Sequence, residues 1–198
     1  MTTNPIRMNY RLANIISTIG HPLLTVSIFV IVALFNYEGF YKAALISGLI
    51  LSCVFIPLTI KMYKGSKNGT YTNFDVSDKK ERQTWYLYVL ILLFILIVVL
   101  FLTNQSENLK GYSLFFFLLL LISKICNFYI KSSLHVSLNI FLTFLMMQLS
   151  VTLGIVFFVF VLLIAWSRVV LKRHTFEEIV YGGMIGSLIG FLSFVTMS

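Results

Sequence analysis

Long apolar runs separated by short polar stretches are the dominant pattern along the chain. A run of about 20 apolar residues is long enough for a helix to cross the hydrocarbon core, and a helix satisfies its backbone hydrogen bonds internally. The pattern therefore predicts an all-α, polytopic transmembrane helical bundle that forms a single integral-membrane domain over residues 1–198. The predicted spans cover residues 12–35, 43–60, 85–102, 112–130 and 176–197, together with a longer block, 136–170.

The block 136–170 allows two interpretations, which give six or seven spans. As a single helix it would be far longer than a bilayer requires, and it would place the polar segments KSSLH and SRVVLKRH on opposite faces of the membrane. As a hairpin that turns near Thr152 and Gly154, it returns both segments to one face. The chemistry of the two segments favours the hairpin and seven spans, with six as the alternative.

Composition and charge agree with a membrane protein. Hydrophobic residues make up 59% of the chain and charged residues 11%, whereas a soluble domain carries about 25% charged residues. The net charge of +8 does not indicate nucleic-acid binding, because the cations are confined to short loops. With seven spans, every Lys and Arg except Lys42, Lys110 and Lys124 falls on one side. The positive-inside rule assigns that side to the cytoplasm, so we expect a protein of the bacterial inner membrane with a cytoplasmic-facing site.

Some polar or small residues inside the apolar runs have structural explanations. Cys53 and Cys126 lack a metal-binding spacing and are interpreted as structural. His21 directly precedes Pro22, which favours a role in packing or in a helix kink over substrate contact. Three glycines at four-residue spacing predict the close approach of another helix, either internal or from a second copy, so that a homodimer stays open; these are Gly182, Gly186 and Gly190.

The segment SRVVLKRHTFEE, residues 167–178, concentrates ionisable groups beside an apolar run. Charged groups at the edge of a bilayer, or inside it, are costly unless they are paired or functional. Glu178 follows His174 by one helical turn, so its carboxylate can accept the imidazole N–H and leave the other ring nitrogen able to attack. The planar fork of Arg168 suits phosphate oxygens.

Two further polar segments add to this group. In KSSLH, Ser133 offers a hydroxyl at a predicted helix start, where anions are favoured, and His135 is placed to protonate a leaving oxygen. In DVSDKKERQ, Arg82 can make a second bidentate contact, with Lys79 on the same helical face. Acidic ligands for magnesium are not gathered, so we expect no metal and no other cofactor. A phosphohistidine intermediate follows naturally from this set.

The segment at 167–178 resembles the third signature of the type 2 phosphatidic acid phosphatase family, which reads SR, five residues, H, three residues and usually D. SSLH resembles the second signature, PSGH. The first signature, K, six residues, then RP, is matched at Arg82, with Gln83 in place of proline and Asp75 in place of lysine. The resemblance covers residues 75–178, the expected catalytic core.

The resemblance implies a role for each candidate residue. His174 is the expected nucleophile, Glu178 its orienting carboxylate and His135 the general acid. The expected phosphate-binding residues are Arg168, Arg82, Ser133 and Lys79. The chain is therefore expected to be a metal-independent membrane phosphatase acting on a lipid phosphate monoester or diphosphate, such as phosphatidic acid, phosphatidylglycerophosphate or an isoprenyl diphosphate. The alternative is a small transporter or channel for an anionic solute.

Overall fold

The structure is a computed structural model that describes the backbone of residues 5–197 and the side chains of residues 8–197. Arg7, one of the cations counted for the positive side, therefore has its side chain outside the described residues. Within the described range the chain is all-helical and contains no strand. The α-helices are α1 (Pro5–Ile19), α2 (Pro22–Tyr37), α3 (Phe40–Ile50), α4 (Ile56–Lys67), α5 (Lys79–Leu102), α6 (Glu107–Tyr129), α7 (Leu134–Leu149), α8 (Val151–Val170) and α9 (Phe176–Met197).

Five of the described helical segments are long and apolar enough to cross a membrane. They are Phe40–Lys67, α5, α6, α8 and α9. The number becomes six if α1 and α2, which are bent by 43° relative to each other, count together as one span. α7 is apolar but shorter, with 16 residues. The prediction of a polytopic helical membrane protein is thus confirmed.

The helices form two compact units that are each described separately. Unit 1 contains residues 5–29 and 132–196, and therefore α1, the start of α2, and α7 to α9. Unit 2 contains Val30–Lys131 and Met197, and therefore the rest of α2 together with α3 to α6.

In unit 1, the predicted kink at Pro22 is confirmed as a complete helix break. Proline has no N–H to donate and disfavours helical geometry at the preceding residue. α1 ends at Ile19, and Pro22 is the first residue of α2. His21 caps the new helix, because its Nδ1 accepts a hydrogen bond from the N–H of Leu23 at 3.2 Å. The break is a local consequence of the sequence GHP.

The hairpin interpretation of residues 136–170 is also confirmed, although its turn was predicted in the wrong place. The helices separate at Ser150, which is extended with φ −163° and ψ 127°, and α7 packs against α8. Thr152 and Gly154 lie within α8. A Cβ at Gly154 would collide with Met147, so this glycine serves the close packing of the hairpin rather than its turn.

The glycine stripe of α9 packs against α7. Side-chain atoms added at Gly182 and Gly186 would collide with the main-chain carbonyls of Ser133 and Ser137, and one added at Gly190 would collide with the ring of Phe144. The internal neighbour is therefore the one observed. The close approach of the two backbones holds the start of α7 against the first turns of α9.

In unit 2, a nearly continuous helical segment runs from Phe40 to Lys67, with π-helical geometry over Leu51–Phe55. α5 begins at Lys79, six residues before the predicted apolar span, because Asp78 caps it. The Asp78 carboxylate accepts hydrogen bonds from the N–H groups of Lys80 at 2.8 Å and Glu81 at 3.1 Å. These bonds, that of Glu81 foremost, lower the pKa of Asp78. α5 packs against α6.

Candidate active site

His174 and Glu178 form a close pair at the start of α9. Oε2 of Glu178 lies 2.6 Å from Nδ1 of His174. A carboxylate only accepts hydrogen bonds, so Nδ1 is the protonated nitrogen and the lone pair of the neutral ring belongs to Nε2. The His174 side chain is buried, with 1% of its surface exposed, against 19% for Glu178.

A capping box explains why the chain folds this way around His174. The hydroxyl of Thr175 accepts from the N–H of Glu178 at 3.3 Å, and the Glu178 carboxylate accepts from the N–H of Thr175 at 3.4 Å. This reciprocal pattern, T-x-x-E, is a strong signal for a helix start. The same carboxylate thus stabilises the helix end and holds the imidazole.

The end of α8 is a tight turn that connects Arg168 to His174. The N–H of Arg173 donates to the carbonyl of Arg168 at 3.0 Å, and the N–H of Lys172 donates to that of Val169 at 2.9 Å. These are the two bonds of a Schellman motif, whose left-handed position is usually glycine. Here it is Lys172, with φ 53°. The His174 N–H also points to the Arg168 carbonyl, at 3.4 Å.

The guanidinium of Arg168 is held inside unit 1. Only 1% of the residue is exposed, and Nη1 donates to Oγ of Ser17 on α1 at 2.6 Å. A cation in the last turn of a helix is favoured by the dipole of α8. Ser17 is not among the candidate residues predicted from the sequence.

Ser133 joins α7 to α9. Its N–H donates to the main-chain carbonyl of Glu178 at 2.9 Å, and it precedes the first residue of α7. Ser133 is fully buried, and its Oγ has no hydrogen-bond partner among the described residues. A buried hydroxyl without a partner at a helix N-terminus is suited to an anionic ligand.

His135 lies beside His21, for which the sequence favoured a role in packing or in a helix kink. The two ring centroids are 4.9 Å apart, and the rings are nearly perpendicular at 87°. Nδ2 of Asn139 donates to the carbonyl of His135 at 2.7 Å and to that of Gly20 at 3.0 Å. Asn139 therefore fastens the break between α1 and α2 to the first turn of α7.

Arg82 and Lys79 belong to unit 2, where each contacts a main-chain carbonyl. Nε of Arg82, a buried residue, donates to Val76 at 3.3 Å, and Nζ of Lys79 donates to Tyr129 at 3.2 Å. Asn127 in turn donates to the carbonyl of Lys79 at 3.0 Å. Lys79 thus helps to join the start of α5 to the end of α6.

Five of the seven candidate residues therefore lie in unit 1, at the ends of α7, α8 and α9 that the hairpin brings to one side. They are Ser133, His135, Arg168, His174 and Glu178. The residues that sequence reasoning missed are Ser17 and Asn139. The signal for Ser17 was slight: a hydroxyl four residues before His21, next to the hydroxyl of Thr18, in a mainly apolar run.

No protein-family model, no curated protein and no solved structure matches the chain.

Proposed function

We propose that the protein is a membrane-embedded, metal-independent lipid phosphatase of the type 2 phosphatidic acid phosphatase kind. The observation that carries the proposal is the 2.6 Å contact between His174 Nδ1 and Glu178 Oε2. A carboxylate at this position holds the ring in one tautomer and stabilises the positive charge that develops when the opposite nitrogen attacks. No neutral partner would provide the same stabilisation.

The reaction follows in two displacements. Nε2 of His174 attacks phosphorus, the bond between phosphorus and the lipid oxygen breaks, and His135 donates a proton to that oxygen. Water then attacks the phosphohistidine, and His135, now neutral, accepts a proton from it. The products are a dephosphorylated lipid and inorganic phosphate, and His174 is restored. With a lipid diphosphate, the first leaving group is the lipid monophosphate.

The phosphate would be bound by the start of α7 and the end of α8. The buried hydroxyl of Ser133 lies at a helix N-terminus, where anions are stabilised. Ser133 is also bonded to Glu178, one helical turn from the nucleophile. Arg168 supplies a permanent positive charge. The phosphate-binding roles of Arg82 and Lys79 rest on the sequence alone.

The substrate would be a lipid whose head group reaches the site from the bilayer interface while its chains stay in the hydrocarbon. A cytoplasmic-facing site suits phosphatidic acid or phosphatidylglycerophosphate, and an isoprenyl diphosphate is the third candidate. The apolar flanks of unit 1 are consistent with lateral entry, because α8 and α9 carry many exposed aliphatic and aromatic side chains.

Phosphate release from detergent-solubilised protein tests the proposal. The three candidate lipids are offered in turn, with and without vanadate, which mimics the pentacoordinate phosphoryl group. We expect vanadate-sensitive release of inorganic phosphate from at least one lipid, in the presence of EDTA. Movement of an anionic solute into liposomes without any hydrolysis would instead support the transporter alternative.

A further inference from the structure

Arg168 is the most deeply buried charged residue in the described part of the chain. The orientation of its guanidinium plane depends on the groups that bond to it. A guanidinium binds phosphate through a planar fork, so a rotation of the plane changes which oxygens it can reach. The bond from Nη1 to Ser17 Oγ, at 2.6 Å, fixes one corner of that plane.

Ser17 is itself held firmly in unit 1. α1 packs against α8, and Gly20, three residues after Ser17, contacts the side chain of Ile164 so closely that a Cβ would collide with it. The carbonyl of Gly20 also accepts a hydrogen bond from Asn139 of α7 at 3.0 Å. The end of α1 is therefore anchored to both helices of the hairpin.

The sequence signatures of the site do not include residues 17–21, yet this stretch contacts two of the candidate residues. Ser17, on α1, contacts Arg168, and His21, which caps α2, contacts His135. These are two separate contacts from one short stretch of chain.

We propose that Ser17 is a positioning residue of the phosphatase site, which sets the plane of the Arg168 guanidinium for the phosphoryl group. The inference rests on the proposed phosphatase function. The negative charge on the phosphoryl oxygens must be matched most closely in the transition state, so a misplaced donor lowers turnover more than it weakens substrate binding. Around metal ions, partners that orient a ligating residue typically contribute roughly 10- to 100-fold, and we expect a similar effect here.

The test compares Ser17→Ala with Ser17→Thr, which keeps the hydroxyl, and with Ser193→Ala, which removes the hydroxyl of another buried serine, on α9. kcat, KM, the inhibition constant of vanadate and the melting temperature are measured for each. We expect Ser17→Ala to lower kcat by roughly 10- to 100-fold, with a smaller change in KM and a weaker response to vanadate. Ser17→Thr should restore most of the loss, and Ser193→Ala should resemble the wild type.

The outcomes separate the two proposals. An active wild type whose Ser17→Ala variant keeps its kcat and vanadate inhibition overturns the role of Ser17 and leaves the phosphatase function standing. Equal losses in Ser17→Ala and Ser17→Thr, accompanied by lower melting temperatures, also overturn it, because the hydroxyl would not be the group that matters. A wild type that releases no phosphate from any lipid overturns the phosphatase function, and this inference with it.

Discussion

The carboxylate of Glu178, in the first turn of α9, lies 2.6 Å from Nδ1 of His174. The same carboxylate completes the capping box with Thr175, and the main-chain carbonyl of Glu178 accepts the N–H of Ser133. Glu178 therefore connects the proposed nucleophile, the start of α9 and the proposed phosphate-binding turn at Ser133.

The charge of Glu178 should matter for turnover. Glu178→Gln keeps the capping box, which accepts glutamine as well as glutamate, but removes the negative charge beside His174. By comparison with catalytic triads, we expect kcat to fall by roughly 100-fold or more. The neighbouring variant Glu177→Gln is the control, since Glu177 is exposed. A Glu178→Gln enzyme that is as active as this control would contradict the orienting role.

The effect of removing His135, the proposed general acid, should depend on the leaving group. A lipid alkoxide needs a proton when it leaves, whereas p-nitrophenolate does not. In His135→Asn we expect lipid dephosphorylation to fall by roughly 100- to 10,000-fold, with a much smaller change in the initial burst of p-nitrophenol from p-nitrophenyl phosphate. The burst reports the first displacement only. Equal losses with both substrates would argue against proton donation by His135.

The contact between α9 and α7 predicts a sharp contrast between adjacent glycines. A Cβ at Gly182 would collide with the Ser133 carbonyl, whereas a Cβ at Gly183 would lie at an ordinary 3.5 Å from Ile140. Gly182→Ala should lower the free energy of unfolding by about 1–3 kcal/mol through overpacking, and Gly183→Ala should leave it unchanged or raise it by up to about 1 kcal/mol, because alanine is the better helix former. Thermal unfolding in detergent measures both variants, and similar melting temperatures would contradict the packing described.

Lys172 should be replaceable by glycine with a gain in stability. Its left-handed conformation, with φ 53°, costs a residue with a Cβ about 1–2 kcal/mol. The greater flexibility of glycine in the unfolded chain offsets part of the gain from relieving that strain. We expect Lys172→Gly to be more stable by about 0.5–1 kcal/mol and to retain activity. Lys172→Ala, which keeps the Cβ, should show no such gain; if both variants gain equally, the strain is not the cause.

The apolar pattern predicted where helices run, but it was less informative about where they begin and end. α5 begins at Lys79 rather than at residue 85, because Asp78 caps a polar first turn. A hydropathy pattern cannot detect such a turn, since it follows apolar residues only. The hairpin turns at Ser150 without a proline or glycine there. Gly154, which suggested a turn, instead allows the two helices to pack closely.

The candidate site was predictable where its contacts are local. His174 and Glu178 are four residues apart, so helical periodicity alone places them side by side. The bond between Arg168 and Ser17 joins residues 151 positions apart, and no spacing rule connects them. Asn139 was missed for the same reason, because its partner Gly20, in the turn after α1, lies 119 positions away in the chain.

The most direct test of the proposed phosphatase mechanism is the capture of the phosphoryl group on His174. The wild-type protein is incubated with a lipid substrate that carries a radioactive phosphate, and the reaction is stopped with denaturant at alkaline pH, where phosphohistidine is stable. We predict an acid-labile label on the peptide that contains His174, with neither label nor phosphate release in a folded His174→Ala variant. Label on another residue, or normal phosphate release by His174→Ala, would contradict the account.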